Sequence, residues 1–135
     1  MKLITDHPSR KWFFNQQYFD VIDTEKKAYF LGLMYADGFV NSSMKRAGIT
    51  LHKDDVELLT AFAKDIGFMG PFYENYNGNK EKTCRTMTLS GKYLADSLVQ
   101  RGCFPRKSFT LLFPNETQVP NHLLHHFLRG YFDGD

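Results

Sequence analysis

The chain has 135 residues, 17 Lys and Arg against 15 Asp and Glu, a net charge of +2, and 42% hydrophobic and 16% aromatic residues. That bounds it to one compact domain with enough apolar material for a core. It excludes a membrane-spanning helix, since no apolar run approaches 18 residues, and so slight an excess of positive charge permits nucleic-acid binding without pointing to it.

Met1 to Trp12 has no apolar signal-peptide core. Lys2, Arg10 and Lys11 surround Trp12, Phe13 and Phe14, a stretch read as an aromatic plug on the core ahead of a basic-aromatic arm on DNA. Asn15 to Val21 is expected to form a short helix. Asp23 or Thr24 can cap the first long helix, which runs to about Ala36 with Glu25 in its first turn. Ala28, Gly32 and Ala36 recur every fourth residue and form one smooth stripe on which another backbone can lie closely. Phe30, Leu31, Leu33 and Met34 make that helix largely buried. Asp37-Gly38 ends it, with Gly38 expected in the left-handed conformation. A carboxylate at a helix C-terminus faces the negative end of the macrodipole, so Asp37 is a candidate metal ligand.

Phe39 to Asn41 reads as a strand, Ser42 to Lys45 as a turn and Gly48 to His52 as a second strand, with Ile49 and Leu51 on one face and Thr50 and His52 on the other. Lys53 to Ile66 is an amphipathic helix with Asp54 or Asp55 near its cap, closed by Gly67. Pro71 to Tyr76 is a third strand, Asn77-Gly78-Asn79 a turn and Thr83 to Ser90 a fourth strand. Ser90 is expected to cap a helix from Gly91 to Arg101, closed by Gly102. Cys103 to Val119 is a linker broken by Pro105 and Pro114, and Pro120 opens a final helix. Cys84 and Cys103 lack metal or redox spacing and read as free thiols in a reducing compartment. The organisation is thus an N-terminal arm over 1–22, an α+β αββαββα unit with a four-stranded antiparallel sheet over 23–104, a linker over 105–119 and the first helix of a second unit over 120–135. One sheet face is helix-covered and the other polar, as antiparallel sheets allow.

The end of the chain repeats its first helix. A shift of 98 positions (135 − 37) sets Gly32 on Gly130, Ala36 on Gly134 and Asp37 on Asp135. Phe30 to Gly38 resembles the nine-residue motif of the LAGLIDADG homing endonucleases, and Leu128 to Asp135 is similar to its second copy without the final glycine. The Asp-Thr-Glu-Lys-Lys-Ala-Tyr lead-in and the Phe-Leu-Arg-Gly-Tyr-Phe-Asp-Gly-Asp ending are similar to the bacterial and phage branch. The resemblance spans residues 18 to 135. It implies the same αββαββα unit, a bare sheet lying in the DNA major groove, and one acid per strand cut. It also implies a bacterial or phage protein acting in the cytoplasm, an organelle being the alternative setting.

If the two stripes face each other, Asp37 and Asp135 reach one spot, and two oxygen ligands with open water positions suit Mg²⁺. The resemblance places Lys92 beside the scissile phosphate, where a solvated first-turn lysine is the plain alternative. It sets His52 at a position that orients water, where a groove-facing or solvated histidine is the alternative. Asp133 and Tyr35, at the motif's other variable acid position, read as packing or helix-end residues. Thr50, His52, Tyr73, Asn75, Thr86 and Thr88 are candidates to meet base edges. Lys45, Arg46, Lys53, Lys80 and Lys82 are candidate phosphate contacts. Arg85 is set aside because alternation puts it with Met87. Arg106-Lys107-Ser108 is similar to a lysine-serine signature that follows the third helix in this branch, and is read as a candidate phosphate contact. His122, His125 and His126 have no further ligand group nearby in sequence, and zinc is not expected.

The chain therefore reads as the first half of a monomeric two-unit, Mg²⁺-dependent endonuclease on a long, nearly palindromic duplex site, plus the opening helix of the second half, with the second sheet missing. Weak binding and poor or no cleavage are expected unless a second polypeptide half or a homodimer mate completes it. A non-catalytic DNA-binding module, an intron RNA maturase on the same scaffold and an inert remnant of a mobile gene are the alternatives.

Overall fold

The computed structural model describes residues 12–41, 43, 45–75, 82–103 and 113–134. The elements are α1 (Glu25–Asp37), β1 (Gly38–Asn41), β2 (Arg46–His52), α2 (Val56–Ile66), β3 (Tyr73–Asn75), β4 (Cys84–Ser90), α3 (Lys92–Gln100) and α4 (Leu124–Gly134). Single 3₁₀ turns, Lys53–Asp55 and Asn121–Leu123, lead into α2 and α4. The four strands form one antiparallel sheet in the order β1-β2-β4-β3. The fold is α+β.

Alternation sorts the sheet. Val40, Ala47, Ile49, Leu51, Met87 and Leu89 are buried beneath the helices, and β1, β2 and β4 all pack on helices through that face. Arg85 belongs to the same face, at its edge, where it pairs with Glu74 at 3.6 Å. Phe30 and Phe62 stack with ring centroids 4.7 Å apart, joining α1 to α2.

One core holds the described residues together. It includes Phe14, Tyr18, Phe19 and Ile22 from before α1, and Leu123 and Phe127 from the last helical stretch. The plug expected near the N-terminus is therefore carried by Phe14, while Trp12 lies against Gly70, where a Cβ would stand 2.8 Å from the indole Cγ. Residues 15–21 form turns rather than the expected helix. Asn15 ties them down, its N–H donating to the Ile66 carbonyl and its side chain accepting from the Gln17 N–H.

Local signals set several boundaries. The Thr24 hydroxyl oxygen accepts from the Lys27 N–H and caps α1. Gly67 at φ +81° and Gly102 at φ +95° close α2 and α3 in the left-handed region. Gly38 departs from expectation. Its φ is −77°, and α1 passes straight into β1. Glycine is required there by space, because a Cβ would stand 2.7 Å from the Met34 carbonyl oxygen, a backbone atom. Ser90 does not cap α3. Gly91 holds the cap position and supplies no side chain, and the Gln16 Oε1, buried against Gly91, accepts from the Leu94 N–H instead. Asp54 and Asp55 lie near the start of this helical stretch as expected: Asp55 holds the α2 cap position without a side-chain hydrogen bond, and the 3₁₀ turn before it is capped by His52, whose Nδ1 accepts from the Asp54 N–H. The third and fourth strands are shorter than expected, beginning at Tyr73 and Cys84. The turn expected at 77–79, Arg106-Lys107-Ser108 and Pro105 lie outside the described residues.

Candidate nucleic-acid interface and helix seam

The expected stripes meet. α1 and α4 form the most extensive contact between any two elements, and Gly32 and Gly130 let their backbones touch. A Cβ on Gly32 would stand 2.0 Å from the Phe127 carbonyl oxygen and 2.8 Å from the Tyr131 nitrogen. A Cβ on Gly130 would stand 1.9 Å from the Tyr29 carbonyl oxygen and 3.2 Å from the Leu33 nitrogen. These contacts exchange under the 98-residue shift, since 29 + 98 = 127 and 33 + 98 = 131. The crossing is therefore isologous, the same surface used twice as in a twofold dimer. The side chains follow suit. Tyr35 packs edge-on to Phe127 at 4.8 Å, and Asp133, its counterpart, accepts from the hydroxyl of Tyr29 at 2.6 Å.

Ala28 is fully buried in α1, and Ala36 and Asp37 lie against Gly134. A Cβ on Gly134 would stand 2.9 Å from the Ala36 Cβ and 2.9 Å from the Asp37 Oδ2. The Asp37 carboxylate thus faces the backbone one residue before Asp135, which itself lies outside the described residues. No basic residue stands in the last turn of α1. Among the described residues no group of three or more His, Cys, Asp or Glu is arranged to hold a metal ion. His126 instead pairs with Glu25 across the seam at 3.1 Å, beside the His125 ring.

Two tyrosines lock this region. Burial, then the hydrogen bond to Asp133, pushes the Tyr29 hydroxyl up to about 12. Burial also raises Tyr35, whose hydroxyl donates to the Arg101 carbonyl oxygen at 2.6 Å. The Arg129 guanidinium lies 4.3 Å from the Tyr29 ring centroid. The Tyr29–Asp133 clasp was not anticipated, because it joins residues 104 apart in sequence.

The second feature is the sheet face turned away from the helices. The register aligns Tyr73, Thr86 and Thr50 in one row, Asn75, Cys84 and His52 in the next, and Thr88 with Gly48 and Phe39 in a third. All six expected base-edge candidates, Thr50, His52, Tyr73, Asn75, Thr86 and Thr88, therefore share that face. Phe39 lies over Gly48, where a Cβ would stand 2.6 Å from the ring. Thr86 is 8% exposed and Tyr73 54%.

The basic candidates rim this face. Lys45 and Arg46 stand where β2 begins, Lys53 follows its end, and Lys82 precedes β4, with all three lysines exposed. Lys80 lies outside the described residues. Lys92 is exposed at the start of α3, and the Gly91 N–H donates to the Lys45 carbonyl, so Lys92 and Lys45 belong to one end of the sheet. His52 belongs to the other end, six ladder steps away (90 − 84) along β4, about 20 Å at a strand's rise per residue. Lys92 and His52 are not brought together.

The sequence matches no known protein-family model, nor any curated protein. Among the described residues no helix is long and apolar enough to cross a membrane.

Proposed function

We propose that this protein acts on double-stranded DNA as a LAGLIDADG-type endonuclease, the α1–α4 seam supplying the cutting site and the open sheet face the reading surface. The observation that carries the reading is the isologous crossing at Gly32 and Gly130, which sets the acid-bearing end of α1 against Gly134. The 98-residue shift that relates the two glycines also relates positions 37 and 135 in the sequence. Asp37 and Asp135 would hold the cation through carboxylate oxygens, a donor set suited to Mg²⁺. Bound there, Mg²⁺ would activate a water and stabilise the leaving oxygen of the cut phosphodiester. Lys92 and His52, at opposite ends of the sheet, would serve different phosphates. A second sheet-bearing unit, from another polypeptide or a mate copy, would extend the reading surface.

The test is a Mg²⁺ titration of isotope-labelled protein, run beside a nicking assay on a plasmid library and selection from random duplexes. Shifts gathered around residues 36–38 and 134–135, lost in Asp37→Asn, are expected, with nicking following the same titration. Selected duplexes without any cation response at Asp37 would make the protein a non-catalytic DNA-binding module. Preference for structured intron RNA over duplex would make it a maturase. Shifts at unrelated surfaces together with no duplex binding would overturn the proposal.

A further inference from the structure

Three adjacent strands of the open face, β2, β4 and the edge strand β3, are joined by a directed chain of side-chain hydrogen bonds. The Thr86 hydroxyl donates to the Asn75 Oδ1 at 2.9 Å, and its oxygen lies 2.7 Å from the Thr50 hydroxyl oxygen. A hydroxyl has one proton. Thr86 gives its proton to an amide oxygen, which can only accept, so Thr86 must receive the proton of Thr50. Thr86 is 8% exposed, too enclosed to meet a base itself, whereas Asn75 is exposed. The relay engages the Asn75 oxygen, and the exposed Asn75 side chain keeps its Nδ2 group for a donor role.

We infer that Asn75 is a specificity-determining residue that donates to base-edge acceptors, and that Thr86 is the positioning residue that fixes its amide. The inference rests on the duplex-reading role proposed above. In the major groove guanine presents two acceptors, N7 and O6. Adenine presents N7 beside a donor amino group, thymine presents O4, and cytosine presents only a donor. An unconstrained asparagine favours adenine, using its oxygen and nitrogen together. Here Thr86 already donates to one lone pair of the oxygen, which holds the amide and makes it a less freely oriented acceptor for the adenine amino group, so the preference runs guanine first and cytosine last, by roughly tenfold between the two.

The test is selection of the intact protein on a random duplex library, compared with Asn75→Ala, Thr86→Val and Thr86→Ser. Asn75→Ala marks the position read, by flattening the preference there and nowhere else. At that position the unaltered protein is expected to enrich guanine. Thr86→Val keeps the buried shape but removes the proton, so the amide turns freely and enrichment moves toward adenine. Thr86→Ser keeps the hydroxyl and should keep guanine. The amide ¹⁵N relaxation of Asn75 in the free protein should report a held side chain that loosens only in Thr86→Val. Adenine enrichment by the unaltered protein, or a guanine preference untouched by Thr86→Val, overturns the assignment while leaving the duplex reading standing. Failure to enrich any duplex removes both.

Discussion

At the residue scale, Tyr29 shows how one hydroxyl reports on the whole seam. It sits on α1, donates to Asp133 on α4, and carries Arg129 over its ring. Ionising it would bury a phenolate beside a carboxylate, which is why its pKa lies near 12 rather than 10.0. The folded value is raised above the unfolded one. The stability it contributes is therefore complete below pH 10 and is lost as pH climbs through about 12. Tyr18, also raised by burial and by its bond to Asp65, adds to the same alkaline loss. Denaturant midpoints measured from pH 8 to 12 should fall above pH 10, and Tyr29→Phe should fall less steeply over that interval. Equal slopes for the two proteins would show that Tyr29 does not bridge the helices.

At the element scale, the α1–α4 crossing depends on two missing methyl groups. Gly130→Ala would drive a Cβ to 1.9 Å from the Tyr29 carbonyl oxygen, a backbone atom with no rotamer to yield. The helices must separate, so the substitution should destabilise by about 3 kcal/mol or more, at or beyond the upper end of ordinary overpacking. Gly67→Ala is the contrast. Its Cβ would meet nothing within 4 Å, and only the φ of +81° resists it, a penalty of about 1–2 kcal/mol. Urea unfolding of both variants checks the ranking, and a Gly130→Ala protein as stable as Gly67→Ala would contradict the close crossing.

This contrast also marks what could be read from the sequence. The stripe of every fourth residue on α1, the Thr24 cap, the glycines closing α2 and α3 and the two faces of β2 and β4 arise within a few residues of chain, and local pattern reports them. Gln16 caps a helix 78 residues away, and Tyr29 bonds Asp133 across 104. Pairings of that kind follow from which surfaces fold together, so no window of sequence contains them. Ser90 carried good capping chemistry, yet Gly91 holds the α3 cap position and Gln16 accepts from the Leu94 N–H. For the candidate site, the shared face of the six base-edge residues followed from period-two alternation. The distance between His52 and Lys92 became visible only with the β2–β4 register.

At the scale of the whole molecule, charge placement matters more than net charge. A net +2 gives little general attraction for a polyanion. The cations near the open face are set at its margins: Lys45 and Arg46 where β2 starts, and Lys53 where it ends. Six ladder steps separate those ends, about 20 Å, or about six base pairs at 3.4 Å each. A duplex lying along β2 would place a phosphate near each margin while its base edges meet Thr50 and Thr88 between. Each phosphate neutralised adds about −0.9 to the slope of log K against log salt. With Lys45, Arg46, Lys53 and Lys82 engaged, the slope should be about −3 to −4. Lys53→Gln and Lys45→Gln should each make it shallower by about 1. Lys64→Gln, on exposed helix α2 behind the sheet, should leave it unchanged. Duplex affinity measured by anisotropy from 50 to 300 mM salt separates these outcomes. A slope that responds to Lys64 and ignores Lys53 would move the DNA to the helical side, because salt dependence follows the charges that touch phosphate and not those that merely share the molecule.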